Sequence, residues 1–312
     1  MASLKFVIAA AGLLSSAAAA LPTPSREMGD NQLVVATTAQ LAPVLRKVAL
    51  ELEHEHPGLD VSIAPVGSDV AMADLYTRRA DIAVIGRAAT DPEIKAFQWI
   101  YEYPPKAWPV LRGSVAVPGH SPSIRVLVNA SNPIRSISVQ QLEMAFRSER
   151  PIHWRDLGVT GPFASRPVHP IIPDSEQGSG IFIRAALFNG ATLFAWDRVK
   201  EIAEPSHRGS IDDGLGASLA AAVAHDPQAL ALVPGGATAG TRPVPLECGP
   251  TLPCDSSGAI ERTVYAYADP KPRPDARSFL LLLIDGSRTG SIDPSPYRQL
   301  PAGQAQELPR KL

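Results

Sequence analysis

From Gln32 onward, short apolar runs alternate with longer stretches in which apolar residues recur every three or four positions, the pattern of strands feeding amphipathic helices. Leu33 to Ala36 predicts a strand. Leu41, Val44, Leu45, Val48 and Leu52 predict the helix after it, with Thr37 or Thr38 as its cap and Pro43 tolerated in the first turn. Pro57-Gly58 ends that helix. Asp60 to Val66 then alternates as a strand, Gly67-Ser68-Asp69 caps a second helix, and Asp81 to Ile85 makes a third strand running into Gly86-Arg87. Such units build a parallel sheet whose ligands collect at the carboxyl ends of the strands. Thr37, Thr38, Gly67, Ser68, Gly86 and Arg87 all fall at that edge.

A second alternating block follows Gly119. Ile124 to Val128, Val168 to Ile172 and Ala229 to Val233 read as strands; Ser138 to Arg147 and Leu215 to Val223 read as helices. The chain ends its pattern with a strand at Thr263 to Ala268 and a helix at Asp275 to Ile284. Between the blocks, Trp99, Tyr101, Tyr103 and Trp108 crowd together, either covering a core or presenting rings to a sugar or a partner. Within the second block, Asp174 to Gly190 places Gly178-Ser179-Gly180 directly before an apolar-periodic helix. The first N–H groups of a helix lack internal acceptors, and glycines let a ligand approach them, so this turn is a candidate anion site. The plainer reading is a helix cap.

Composition sets the frame around these elements. The chain has 312 residues and is 45% hydrophobic, enough for a real core and, by length, for two lobes. A net charge of -2 provides no basic field for nucleic acid. Lys5, the apolar run Phe6 to Leu14 and the small residues up to Ala20 read as a signal peptide, residues 1–20, cleaved near Ala20. The mature protein is therefore expected outside the cytoplasm, in the periplasm. In that compartment Cys248 and Cys254, the two cysteines, are expected to form a local disulfide. Neither a metal site nor a cofactor motif is expected.

Several stretches, taken in order, carry a family likeness: Gly67-Ser68 with ADIAVIGR (Ala80 to Arg87), VLVNASNP (Val126 to Pro133), SVQQLEMAF with WRDLG, GSG (Gly178 to Gly180), AVAHDPQALALVP (Ala222 to Pro234), and RTVYAYADP with SFLLLLIDG. Over about Leu33 to Gly286 the chain resembles the phosphate-binding periplasmic proteins of ABC transporters, in the type II periplasmic-binding-protein superfamily. The resemblance implies an α/β fold of two lobes, each a mixed, mostly parallel sheet flanked by helices, closing on a ligand by hinge motion. Lobe 1 would span 31–113 with a return at 260–286, lobe 2 would span 124–245, and 287–312 would form a loosely packed tail. It implies a monomer that captures a small oxyanion, phosphate or similar, and delivers it to an ABC permease. Thr38, Ser68, Ser179 and Gly180 match the family's ligand turns, with Thr37, Gly67, Arg87, Ser175 and Gly178 beside them.

The chain also departs from that pattern. Where the family has an arginine before its SGT motif stands Ser175, and where it has the threonine stands Ile181. After the third strand stands Arg87 in place of an acid. Arg87 either replaces the missing guanidinium or pairs with Asp91 or Glu93, and Asp69, Asp174 and Glu176 are possible proton acceptors. Two other readings stay open: a drifted member of the fold serving as a sensor or interaction module, and an ester hydrolase using Ser179 with His207 or His225. The hydrolase is disfavoured because the turn is not a G-x-S-x-G elbow and no His is tied to an acidic orienter. His54 and His56 do not share a helical face and read as solvated.

Overall fold

The computed structural model describes residues 31–113, 123–188, 190, 195, 197–203, 214–249, 252–286, 289–295 and 297–300. The expected signal peptide and His207 lie outside them. Lobe 1 opens with β1 (Gln32–Thr37), α1 (Ala42–Glu55), β2 (Asp60–Pro65), α2 (Ser68–Tyr76), β3 (Ile82–Ile85), α3 (Asp91–Tyr101) and β4 (Lys106–Arg112). Lobe 2 contains β5 (Ile124–Asn129), β6 (Ile137–Ser138), α4 (Val139–Arg147), β7 (His169–Pro173), α5 (Gly178–Leu187) and β8 (Lys200–Ile202). It continues through α6 (Gly214–His225), β9 (Ala229–Pro234), β10 (Thr241–Val244) and β11 (Leu246–Glu247), before β12 (Thr263–Ala268) and α7 (Pro274–Leu281) return to lobe 1.

The two main sheets share one logic. Their orders are β2-β1-β3-β12-β4 and β10-β5-β9-β7-β8, so the second read backwards repeats the first. In each, the strand that arrives from the other lobe, β12 or β5, runs antiparallel to its neighbours while the rest run one way. Helices cover both faces of both sheets, which is why strand residues are apolar on both sides. In β1, Leu33 and Val35 pack into one cluster with α1 and α7, while Val34 and Ala36 pack into another with α2. In lobe 2, Val126 and Val128 face the cluster holding Trp154 and Phe146, while Leu127 faces α6.

Local signals set most element ends, with one correction. Ser138 caps α4 as a reciprocal capping box with Gln141, and Thr90 does the same for α3 with Glu93. Neither Thr37 nor Thr38 caps α1 with its side chain: the N-cap is Leu41, and the Thr38 carbonyl accepts from Leu41 and Ala42 N–H instead. The Thr37 hydroxyl is drawn into the sheet, donating to the Val84 carbonyl at 2.7 Å. The aromatic stretch splits: Trp108 is core, whereas Trp99 is 82% exposed.

The expected loose tail, 287–312, is corrected over its described part, while 301–312 lie outside the described residues. Ile292 and Tyr297 are buried in the lobe 1 core, and Arg298 exchanges backbone hydrogen bonds with Arg112 in a short antiparallel bridge. Prolines did not prevent docking because two apolar side chains among them find the core.

Cys248 and Cys254 form the expected disulfide, with Cα atoms 6.4 Å apart. The loop closed is short, so its removal from the unfolded state's constraint is modest. Cys248→Ser with Cys254→Ser is expected to cost about 2 kcal/mol in chemical unfolding, and an unchanged transition would show that the bridge does not constrain the chain.

Candidate functional site

The carboxyl ends of β1 and β3 in lobe 1 meet the carboxyl end of β7 in lobe 2. The Thr37 carbonyl accepts from both Val66 and Gly67 N–H, at 2.9 and 3.1 Å, and so fixes the turn into α2. Gly67 carries φ +94, a conformation that favours glycine, and from it Ser68 starts α2. Across the cleft, a Cβ built on Gly178 would lie 2.6 Å from the Ser68 hydroxyl oxygen. The two turns singled out in the sequence, Gly67-Ser68 and Gly178-Ser179-Gly180, are therefore in contact although they belong to different lobes.

Arg87 lies behind Ser68 and is only 2% exposed. Its Nε donates to the Ser68 hydroxyl at 3.3 Å, and Nη1 donates to the Ala88 carbonyl at 3.0 Å and to Glu93 at 2.8 Å. Nη2 donates to Asp69 at 3.0 Å and to Glu93 at 2.7 Å. Burial alone works against both charges, but the bonds exchanged outweigh it. Arg87 is pushed up, and Glu93 is held below the usual carboxylate range by Arg87 and Thr90. Of the alternatives open in the sequence, Arg87 pairs with Glu93, with Asp69 rather than Asp91 as second carboxylate, and it does so in the interior. A guanidinium has five N–H donors. All five are engaged inside lobe 1.

On the lobe 2 side, α5 begins with no side-chain cap on its N-terminus, leaving the N–H groups of Gly178, Ser179 and Gly180 as the orphans of the first turn. The turn before it is held from below: Ser175 N–H donates to Glu201 at 3.0 Å, and Glu176 N–H donates to Asp174 at 2.9 Å. Ser175 is itself buried, at the foot of this turn. Glu176 points outward, 3.8 Å from Arg184.

One residue that sequence reasoning passed over enters here. Arg262, 6% exposed, stands at the end of the segment crossing back from lobe 2 and donates from Nη2 to the Ser179 hydroxyl at 2.9 Å. The RTVYAYADP stretch contained it, but nothing in that stretch distinguishes a cleft arginine from a solvated strand flank. The Ser179 oxygen thus has a guanidinium beside it, and a guanidinium cannot serve as a general base. Among the described residues no group of three or more His, Cys, Asp and Glu side chains is placed to hold a metal. No described helix is long and apolar enough to cross a membrane.

Known proteins share this chain's pattern. Over 202 residues the chain is 31% identical to the phosphate-binding protein PstS of Pseudomonas aeruginosa, in each of two strains, an alignment covering 61% of this chain and 60% of the relative. It therefore spans about three-fifths of that relative's length. An ABC-type phosphate transport receptor from Vibrio cholerae superposes with a TM-score of 0.61 at 14% identity, covering 86% of this chain and all of the other. PstS from Borrelia burgdorferi superposes with a TM-score of 0.54 at 15% identity, covering 88% of this chain and all of the other. These likenesses in structure match the two-lobed fold, and residues 22–280 match the family described as the PBP superfamily domain, so the chain belongs to the PBP superfamily.

Proposed function

We propose that this protein is a periplasmic solute-binding protein that captures a small oxyanion, phosphate in the first instance, between its lobes and delivers it to an ABC permease. The observation that carries this reading is the meeting of Ser68 with the uncapped start of α5 at Gly178. Ser68 of lobe 1 stands against Gly178 at the start of α5, with Ser179 next in that turn, which supports a site between the lobes. An anion held there is stripped of water, and its lost hydration is offset by several directed donors. Thr38 borders the same edge, while Thr37 and Arg87 shape the turn that carries Ser68. The identity to PstS supports phosphate as the ligand and binding, not catalysis, as the activity.

A drifted member of the fold, serving as a sensor or interaction module, remains the second reading. It draws on the exposed Trp99, with Ile100 and Tyr103 beside it on lobe 1.

The test is thermal unfolding of the exported chain, unfolded and refolded to remove carried ligand, against phosphate, sulfate and organic phosphates. A ligand at 100 times its dissociation constant stabilises by about 2.7 kcal/mol. For a chain of this size that is a rise of several degrees. Phosphate is expected to raise the transition most; if no oxyanion moves it, the oxyanion-receptor reading is wrong.

A further inference from the structure

We infer that Glu261 is the hinge residue through which the docked C-terminal segment sets how readily the lobes close, an inference that rests on the receptor function proposed above. The return crossing is pinned on both sides of it. On the lobe 2 side, Ile260 exchanges backbone hydrogen bonds with Ile124, the first residue of β5, at 2.9 and 3.0 Å. On the lobe 1 side, the Arg262 carbonyl accepts from the N–H of Gly113, the residue after β4. Only Glu261 lies between the two pins. A turn of lobe 2 against lobe 1 is therefore taken up, on this strand, at the backbone dihedrals of Glu261 and its immediate neighbours.

Both lobes hold Glu261 at once. Its N–H donates to the Pro253 carbonyl at 2.9 Å, inside the loop closed by Cys248 and Cys254, and those cysteines pack on the lobe 2 core. Its carboxylate, in a side chain only 3% exposed, is gripped from lobe 1: Arg112 Nη2 donates to Oε2 and Arg298 Nη2 to Oε1. Arg112 ends β4, and Arg298 belongs to the segment whose Ile292 and Tyr297 are buried in the lobe 1 core. That segment is also tied to α1, where Lys47 Nζ donates to the Asp293 carbonyl at 3.0 Å. The main chain of Glu261 thus follows lobe 2, while its side chain is anchored to lobe 1 and to the C-terminal segment.

Both oxygens of Glu261 are occupied in the arrangement in which Ser68 stands against Gly178 across the cleft. Rotating the lobes apart carries the Glu261 main chain with lobe 2 and draws its carboxylate from one or both arginines. A buried charge that loses a partner is strongly disfavoured. The clamp therefore favours the closed arrangement, and affinity for an anion rises with the fraction of molecules that are closed. Arg298 and Glu261 are positioning residues: neither is among the groups assigned to the anion above, and both act through the balance between the lobes.

The experiment measures the distance between spin labels on stripped full-length mature protein as inorganic phosphate is added. The labels sit at Lys95→Cys in α3 and Glu149→Cys just after α4, both exposed and one in each lobe, the native cysteines being tied in their disulfide. Arg298→Met is expected to need about tenfold more phosphate for half-closure than the labelled wild type, within the usual range of coupling between separated sites. Arg298→Lys keeps a cation for Glu261 and is expected to recover most of that loss, which separates a charge-dependent clamp from loosened packing of the segment. Glu261→Gln removes the gripped charge and is the second arm should Arg298→Met fold poorly, with a loss of about the same size. Half-closure within about threefold of wild type in both Arg298→Met and Glu261→Gln overturns the inference while leaving the receptor reading intact. A wild type that no oxyanion closes overturns the receptor reading. Arg298→Met should even then shift the ligand-free distances away from the closed arrangement, and unchanged distances would overturn this inference as well.

Discussion

Glu93→Ala is expected to lower the unfolding free energy by about 3–5 kcal/mol, because it strands a buried arginine. Arg87 is 2% exposed, and Glu93 contributes two of its five bonds, one to each terminal nitrogen. The remaining carboxylate, Asp69, is more than half exposed and holds a single nitrogen, so it cannot replace the lost fork. The same substitution removes the carboxylate that accepts from Thr90 N–H and hydroxyl at the start of α3, a capping loss of about 1 kcal/mol within that total. Urea unfolding of Glu93→Ala, Arg87→Leu and the double replacement would separate these terms, since removing both charges is milder than removing one. A loss below about 1 kcal/mol in the single variant would show the pair to behave as an ordinary surface contact. The pH dependence has a defined sign. Glu93 has a folded pKa lowered from 4.5, so its contribution is fully present above that value and fades as pH falls through the folded one.

The consequence reaches the cleft, because Arg87 also donates to the Ser68 hydroxyl. An arginine released from Glu93 moves, and the Ser68 hydroxyl loses one of its two side-chain partners, keeping the bond it donates to Asp69 at 3.0 Å. Weakened oxyanion binding should therefore accompany the instability.

The strands and helices were legible because each reports its own burial: a run such as Ile82 to Ile85 is apolar on both faces, and α1 repeats its apolar positions at helical spacing. The turns of the candidate site were legible for a similar local reason, since small residues and glycine stand where a helix must begin close to another backbone. What could not be read depends on partners far along the chain. Thr37 reads as a cap, yet the Val84 carbonyl on the neighbouring strand takes its hydroxyl. Arg87 sits in the polar-looking run GRAATDPE and gives no local sign of burial, because the lid over it is formed by residues from α2 and by the far lobe. Arg262 is silent in sequence, since its meaning comes from Ser179, 83 positions away. Ile292 and Tyr297 have no periodic apolar neighbours to announce a docked segment.

Gly180→Ala is expected to cost about 3 kcal/mol, toward the upper end of the overpacking range. The reason is the neighbour it would strike. A Cβ there would overlap the Asp174 carbonyl and crowd the Ser175 Cα, and neither is a side-chain tip that can swing away. Either α5 shifts off the turn or the turn itself deforms, and Ser175 N–H then leaves Glu201. Both responses displace the N–H groups of Gly178 and Ser179, so oxyanion affinity should fall with stability. Gly178→Ala provides the contrast: its added methyl meets the Ser68 hydroxyl at 2.6 Å, a group that can rotate and that belongs to the other lobe. Opening the cleft relieves that contact without unfolding either lobe, so this variant should melt near wild type while binding more weakly. Thermal unfolding with and without phosphate distinguishes the two. A Gly180→Ala protein that melts and binds like wild type would mean that α5 does not press on the Asp174 turn. A Gly178→Ala protein that binds like wild type would mean that the lobes do not meet at Ser68 in the bound state.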